Sequence, residues 1–282
     1  MINPSPLPNP SSRVPGRSAP PLLGALLLGG SLLAVACGTG AIASGAPTAS
    51  EPAASATLPA SPAIAAALQN DFIKVVGQVS PSVVVIETKA GLGSGIVFDA
   101  NGDIVTNNHV VDGSTKFTVT LSDGQTLPGT LIGNFPAGDI AVIHVTGTNL
   151  KPATFGDSSK LVVGDIVLAV GSPLGLQGSV TQGIVSALGR KVPESSAVTL
   201  TNVVQTSAEI NPGNSGGALV DLAGNVVGIP TLTALDPQLG NTAAAGIGFA
   251  IPSNIAVDVA GQLIAHGRVV TTPSANQVPA SS

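Results

Sequence analysis

The chain contains 282 residues with a formal net charge of −5, and its ten Lys and Arg residues are scattered rather than clustered. Trp and Tyr are absent and Phe is sparse, which disfavours a nucleic-acid-binding protein, because such proteins use basic surfaces and aromatic stacking. The single cysteine, Cys37, excludes an intramolecular disulfide. A folded domain must therefore be stabilised by the packing of aliphatic side chains alone.

Residues 1–37 have the pattern of an export signal. Arg13 and Arg17 precede an uncharged, Leu-rich run at residues 22–36, which ends in small residues. Cys37 follows directly and resembles the lipobox cysteine of bacterial lipoproteins, which becomes the lipidated first residue of the mature chain. Two alternatives stay open: an uncleaved membrane span over residues 22–43, or simple secretion. All three place the folded part outside the cytoplasm, and we expect it to be anchored to the membrane.

Composition and periodicity divide the rest of the chain. Residues 38–62 are rich in Ala, Ser, Pro, Thr and Gly, with few charges, and are predicted to be a disordered linker. Apolar residues at helical spacing then predict a short amphipathic helix over residues 63–79. A second helix is predicted over residues 252–266, ending at Gly267. Residues 271–282 form a polar tail.

Between the helices, the sequence predicts short strands separated by turns that contain glycine. The run DANG at residues 99–102, for example, predicts a hairpin. Many short strands at this spacing indicate an all-β barrel or sandwich rather than the α/β alternation of a solute-binding protein. The predicted strands are 83–86, 95–98, 103–106, 116–121, 127–133, 139–145, 166–171, 179–187, 202–206, 217–221, 225–230 and 247–251.

Two segments have the residues needed for acyl transfer. The run NPGNSGG at residues 211–217 places glycines two positions before and two positions after Ser215. Such a loop turns tightly, so that the backbone N–H groups of Gly213 and Ser215 can converge beside the hydroxyl and stabilise an oxyanion. His109 follows a predicted strand and is the candidate general base. The other two histidines have structural explanations, His144 within a strand and His266 at a helix C-terminus.

A catalytic histidine of this type also needs a buried carboxylate that holds its tautomer. Asp139 and Asp165 each precede an apolar strand, and both lie between His109 and Ser215 in the chain. Spacing alone therefore leaves both aspartates open.

An ordered set of motifs then identifies a family. They are GSG at 93–95, NGDIVTNNHVV at 101–111, DIAV at 139–142, GSPLGL at 171–176, GIVS at 183–186, NPGNSGG at 211–217 and GIGFAIP at 246–252. Together, over residues 71–270, they resemble the bacterial high-temperature-requirement (HtrA-like) serine proteases of the trypsin-like superfamily. The resemblance selects Asp139 over Asp165, because the family's triad acid opens the Asp-Ile-Ala-Val strand.

The resemblance implies two antiparallel six-stranded barrels of the chymotrypsin type, with the site between them. The protease domain would span residues 63–270, with the first barrel at about 80–150 and the second at about 158–252. His109, Asp139 and Ser215 would form the catalytic triad of a serine endopeptidase, and residues 213–215 (Gly213, Asn214 and Ser215) its oxyanion hole. No metal or cofactor is implied. Residues 173–183 resemble the family's activation region.

Further expectations concern substrates and partners. Unfolded proteins or peptides are the expected substrates, in extracytoplasmic protein quality control. Glu209, Ile247 and Phe249 are candidates for the substrate pocket, although an exposed Glu209 is the simpler interpretation. Family members often carry PDZ domains, for which residues 271–282 leave no room, and often form homotrimers. The alternative function is a catalytically silent, surface-anchored binding module on the same fold.

Overall fold

The computed structural model describes residues 61–273, except for residues 90, 112, 148–149, 173–178, 195–197, 212 and 237–241. The predicted export signal with Cys37, nearly all of the predicted linker, most of the predicted tail and the core of the activation region lie outside the described residues.

The first barrel consists of six antiparallel strands in the closed order β1-β2-β3-β6-β5-β4. Its interior is filled by aliphatic residues and Phe117, at positions that alternate along the strands. The strands are β1 (Val83–Glu87), β2 (Leu92–Val97), β3 (Asp103–Thr106), β4 (Lys116–Thr120), β5 (Thr126–Phe135) and β6 (Ile140–Val145).

The hairpin predicted at residues 99–102 joins β2 to β3. The Asp99 carboxylate accepts hydrogen bonds from the backbone N–H groups of Asn101, Gly102 and Asp103, which closes the turn. Gly102 adopts a φ of 111°, and a Cβ at this position would lie 2.0 Å from the carbonyl oxygen of Val145. A glycine is therefore required here.

The second barrel repeats the architecture, with six antiparallel strands in the closed order β10-β11-β12-β9-β8-β7. Its interior is again aliphatic. The strands are β7 (Ile166–Gly171), β8 (Ser179–Pro193), β9 (Thr199–Thr206), β10 (Ala218–Val220), β11 (Val226–Asp236) and β12 (Thr242–Pro252). The two barrels confirm the predicted fold class.

Among the described residues, three α-helices accompany the barrels: α1 (Ser61–Val79), α2 (Asn108–Val111) and α3 (Ser253–His266). The apolar face of α3 packs into a cluster that contains residues of both barrels and the end of α1. Gly267 ends α3 in the left-handed conformation, and its N–H donates to the Leu263 carbonyl, as predicted. None of the helices among the described residues has the length and apolar character needed to cross a bilayer.

The structure differs from the predicted elements mainly in two hairpins. β8 continues to Pro193 and β9 begins at Thr199, whereas the predicted strands ended at 187 and began at 202. Most of the additional β8 residues are exposed, so they lack the apolar alternation on which a strand prediction depends. β11 and β12 likewise extend beyond their predicted ends. The single turn of α2 is too short to produce a helical period.

Candidate active site

The structure brings His109 and Asp139 into direct contact. His109 lies on α2, directly after β3, and its Nδ1 is 2.9 Å from Asp139 Oδ2 and 3.1 Å from Oδ1. The backbone N–H of His109 also donates to Asp139 Oδ1, at 2.9 Å. A carboxylate can only accept, so Nδ1 carries the proton in neutral His109 and Nε2 is left as the acceptor.

Asp139 is held from both barrels. It is completely buried and follows the 3₁₀ turn Pro136–Gly138 with a left-handed φ of 52°. The side-chain amide of Asn107 donates to its backbone carbonyl at 3.0 Å, and the Thr231 hydroxyl, from β11, donates to Oδ2 at 2.5 Å. The Thr231 bond gives the buried carboxylate a hydrogen-bond partner and fixes its orientation toward His109, while the Asn107 bond holds the Asp139 backbone.

Ser215 lies in the tight loop that leads into β10. Gly213 and Gly216 in this loop have φ values of 105° and 79°, which favour glycine. A Cβ at Gly216 would lie 2.3 Å from the carbonyl oxygen of Ser94. The glycines therefore let the loop turn sharply against the first barrel, and Ser215 is partly buried there.

The loop has two unused backbone donors. Within the described part of the chain, the N–H groups of Gly213 and Ser215 donate to no acceptor. The N–H of Asn214 instead donates to Asn211, and the Asn214 side chain bonds Asn211 and Glu209. Asn214 thus braces the loop, and the donors that remain for an oxyanion are those of Gly213 and Ser215.

The Ser215 hydroxyl does not bond His109 in this conformation. It donates to the backbone carbonyl of Thr231 at 3.1 Å, and no hydrogen bond between Ser215 and His109 occurs among the described residues. Thr231 therefore contacts two members of the predicted triad, the acid through its side chain and the serine through its backbone.

A second acid, Glu194, approaches the histidine from the β8–β9 hairpin. Its Oε1 lies 3.9 Å from His109 Nδ1, and its side chain is only 17% exposed. Burial and the negative charge of Asp139 raise the pKa of Glu194 to about 7, against the opposing effect of His109. Glu194 is consequently partly protonated near neutral pH.

The pKa of His109 reflects opposing causes. Burial lowers it, but the hydrogen bond and charge of Asp139, together with the charge of Glu194, raise it above the usual 6.5 overall. The His109 side chain remains 41% exposed. His109 is therefore the candidate general base of the site.

The described residues contain one group that could hold a metal ion. His109, Asp139 and Glu194 each offer a ligand atom within 4.8 Å of the others. A metal bound through Nδ1 would displace the proton that Asp139 accepts. Metal binding by these three side chains and the Nδ1–H hydrogen bond to Asp139 are therefore mutually exclusive.

The other predicted site residues lie apart from this network. The Glu209 side chain is exposed, and its backbone carbonyl serves the loop by accepting from Asn214. Phe249 packs with Leu200 and Val203 in an apolar cluster, while Ile247 is 37% exposed. His144 pairs with Asp103 across two strands of the first barrel, and His266 ends α3.

Sequence reasoning missed three residues of the site. Asn107 lies in the recognised run before His109 but has no chemical signature of its own. Thr231 lies in a strand whose predicted end was residue 230, and Glu194 lies just beyond an underestimated strand. Each acts through a contact distant in sequence, so no local pattern marks it.

Known proteins resemble the chain over the region that contains this site. Residues 93–229 match the family described as the trypsin-like peptidase domain. The chain is 45% identical over 216 residues to serine protease PepD of Mycobacterium tuberculosis, covering 69% of this chain and 47% of that protein. It is 48% identical over 180 residues to periplasmic serine endoprotease DegP of Escherichia coli, covering 63% and 37%. The chain spans less than half of the length of each of these two relatives.

Solved structures give the same result. The HtrA-type protease AlgW with a decapeptide has a TM-score of 0.62 and 34% identity, with 70% of this chain and 68% of that chain covered. A serine endoprotease from Yersinia pestis has a TM-score of 0.60 and 37% identity, with the same coverage. The similarity thus extends over both barrels.

Proposed function

The chain belongs to the HtrA-type family of trypsin-like serine proteases, and from this premise we propose that it is a serine endopeptidase. The observation that carries the proposal is the contact of His109 Nδ1 with the buried Asp139 carboxylate, beside a loop with two unused N–H donors. Together with the Ser215 hydroxyl, these features support the requirements of acyl transfer: an oriented base, a nucleophile and donors for an oxyanion.

The mechanism assigns one role to each residue. His109 Nε2 takes the proton of Ser215 as the hydroxyl attacks the scissile carbonyl, and Asp139 stabilises the resulting imidazolium. The N–H groups of Gly213 and Ser215 bind the oxyanion of the tetrahedral intermediate. His109 then protonates the leaving amine, and water releases the acyl group from Ser215 by the same steps in reverse.

By analogy with relatives, the proposal also covers the substrates and the location of the protein. We propose unfolded proteins or peptides as substrates, which is supported by the relative AlgW, solved with a peptide. An extracytoplasmic role in protein quality control is supported by the periplasmic description of DegP and by the export-signal pattern. Anchoring through Cys37 is part of the proposal, and an intact mass that begins at Met1 in the membrane fraction would rule out lipidation there.

A homotrimer is also proposed, and the first turns of α1 supply a surface for it. Ile64 is 61% exposed on this helix, and Leu68 is exposed on it too. Size-exclusion chromatography with light scattering tests the oligomer. A charged substitution such as Ile64→Glu, compared with an exposed polar change such as Gln69→Glu, should dissociate it selectively.

The decisive experiment is covalent labelling of Ser215 by a fluorophosphonate. Wild-type protein should be labelled and should cleave an unfolded protein, whereas Ser215→Ala should do neither. His109→Ala should label far more slowly, because the hydroxyl loses its base.

The alternative, a catalytically silent binding module, is favoured by one observation. The Ser215 hydroxyl bonds Thr231 rather than His109. If the folded wild-type protein remains unlabelled even with an unfolded substrate present, the binding module is the correct function.

A further inference from the structure

Ser94, on β2 of the first barrel, contacts the Ser215 loop of the second barrel. Its side chain is completely buried, and the mechanism above gives it no role. Its hydroxyl lies 2.5 Å from the Gly213 carbonyl oxygen, and its backbone N–H donates to the Ser215 carbonyl at 3.0 Å. Both residues of the proposed oxyanion site are therefore bonded to one residue, 119 positions earlier in the chain than Gly213.

The direction of the hydroxyl proton follows from its partners. The N–H of Ser172 donates to Ser94 Oγ at 2.9 Å, and a carbonyl such as that of Gly213 can only accept. The single hydroxyl proton must therefore point at Gly213. The result is a polarised chain, from Ser172 N–H through the Ser94 hydroxyl to the Gly213 carbonyl, in which each bond strengthens the other.

Close packing supports this chain of bonds. A Cβ at Gly171 would lie 2.5 Å from the Cα of Asn214 and 3.3 Å from Ser94 Oγ. The Ser94 carbonyl in turn accepts the Thr106 hydroxyl at 2.6 Å, so both sides of the Ser94 backbone are fixed. These neighbours hold Ser94 in the position from which its hydroxyl reaches the Gly213 carbonyl.

Gly213 needs such an external restraint. Its φ of 105° lies in a region that glycine enters and leaves easily, and among the described bonds within the loop its peptide unit with Asn214 is held at one end, where the Asn214 N–H donates to Asn211. Rotation about Gly213 would turn the adjacent N–H groups away from a common point. The hydrogen bond from Ser94 opposes that rotation because it holds the Gly213 carbonyl.

We propose that Ser94 is a positioning residue, which holds the N–H donors of Gly213 and Ser215 in the arrangement that stabilises the oxyanion. The inference rests on the proposed serine endopeptidase function. Ser94 touches neither the substrate nor the reacting atoms. It acts on the transition state through the loop, and its removal should therefore affect the chemical step more than substrate binding.

The test is Ser94→Ala in the full chain, measured by fluorophosphonate labelling and by steady-state cleavage of a peptide. We expect kcat and the labelling rate to fall about tenfold, the effect of losing one well-placed hydrogen bond. Peptide affinity, measured for Ser215→Ala with and without Ser94→Ala, should be unchanged. Ser94→Cys keeps a similar volume and a weaker donor, and it should give an intermediate rate even if the alanine variant is unstable.

Ser253→Ala is the matched control, because it removes another buried hydroxyl that donates to a backbone carbonyl, that of Gly156 at 2.7 Å. It should leave the labelling rate unchanged. The inference would be overturned if Ser94→Ala were labelled at the wild-type rate. It would also be overturned if Ser253→Ala lost as much activity as Ser94→Ala, or if peptide affinity fell by as much as kcat. A wild-type protein that is never labelled overturns the endopeptidase function itself, which is a separate result.

Discussion

Glu194→Gln should change the pH dependence of cleavage without removing any group that the mechanism uses. The carboxylate lies 3.9 Å from His109 Nδ1 and favours the imidazolium, so it raises the pKa of His109. Glutamine has nearly the same shape and no charge. The pKa of His109 should fall, and because catalysis needs neutral His109, the acid limb of kcat/KM should move to lower pH.

The magnitude follows from the distance and the exposure. Two unit charges at this separation interact by about 1 kcal/mol in a water-like dielectric. We use this value as the lower bound, because the His109 side chain is 41% exposed while that of Glu194 is only 17% exposed. One pKa unit corresponds to about 1.4 kcal/mol, so a fully ionised Glu194 would raise the pKa of His109 by about 0.7 unit. Since Glu194 has a pKa of about 7, it is about half ionised at pH 7, and we expect the pKa of His109 to fall by about a third of a unit.

The assay is kcat/KM for a peptide substrate between about pH 5 and 9, for wild type, Glu194→Gln and Glu209→Gln. Glu209 is an exposed acid on the same barrel, and its variant should reproduce the wild-type limb. Added salt should reduce the difference between wild type and Glu194→Gln only in part, because Glu194 is 17% exposed and partly buried charges are screened less than exposed ones. An acid limb that stays in place, or moves to higher pH, would refute the electrostatic reasoning.

Three further substitutions give distinct outcomes. Asp139→Asn should lower kcat by about 10⁴-fold with the fold intact, as judged by circular dichroism, because the amide no longer holds the required His109 tautomer. Thr231→Val should lower kcat about tenfold, since Asp139 loses a buried hydrogen bond, and a rate equal to wild type would contradict that role. Asp157→Asn should lower Tm at pH 7, because hydrogen bonds from Ser159 and Asn254 lower the pKa of Asp157 to about 2. That carboxylate stabilises the fold above its unfolded pKa, so the Tm difference should close as the pH falls through about 2.

The fold was largely predictable because its signals are local. Alternating apolar residues and glycine turns marked most strands, and Gly267 marked the end of α3. The exposed ribbon that ends β8 was not predictable from apolar alternation, since it has no buried face along most of its length. The Ser215 loop was predicted for a similar reason, because the glycines that its backbone needs are neighbours of the serine in the sequence.

The remaining parts of the site depend on contacts between distant segments. Thr231 bonds Asp139 across 92 positions, and Ser94 bonds Gly213 across 119. Threonine and serine are common in strands and turns, so the residue type alone marks neither of them, although Ser94 lies in the GSG motif at 93–95. The choice between Asp139 and Asp165 also required the family pattern, because both precede apolar strands.

The arrangement of these contacts shows what the proposed catalytic geometry depends on. Asp139 belongs to the first barrel but is bonded by Thr231 of the second, while Gly213 of the second is bonded by Ser94 of the first. The acid and the oxyanion donors are therefore each oriented from the opposite barrel. Any sliding of one barrel against the other breaks both bonds together, even with each barrel intact. The apolar cluster that joins the barrels through α3 thus contributes to the precision of the site as well as to the stability of the fold.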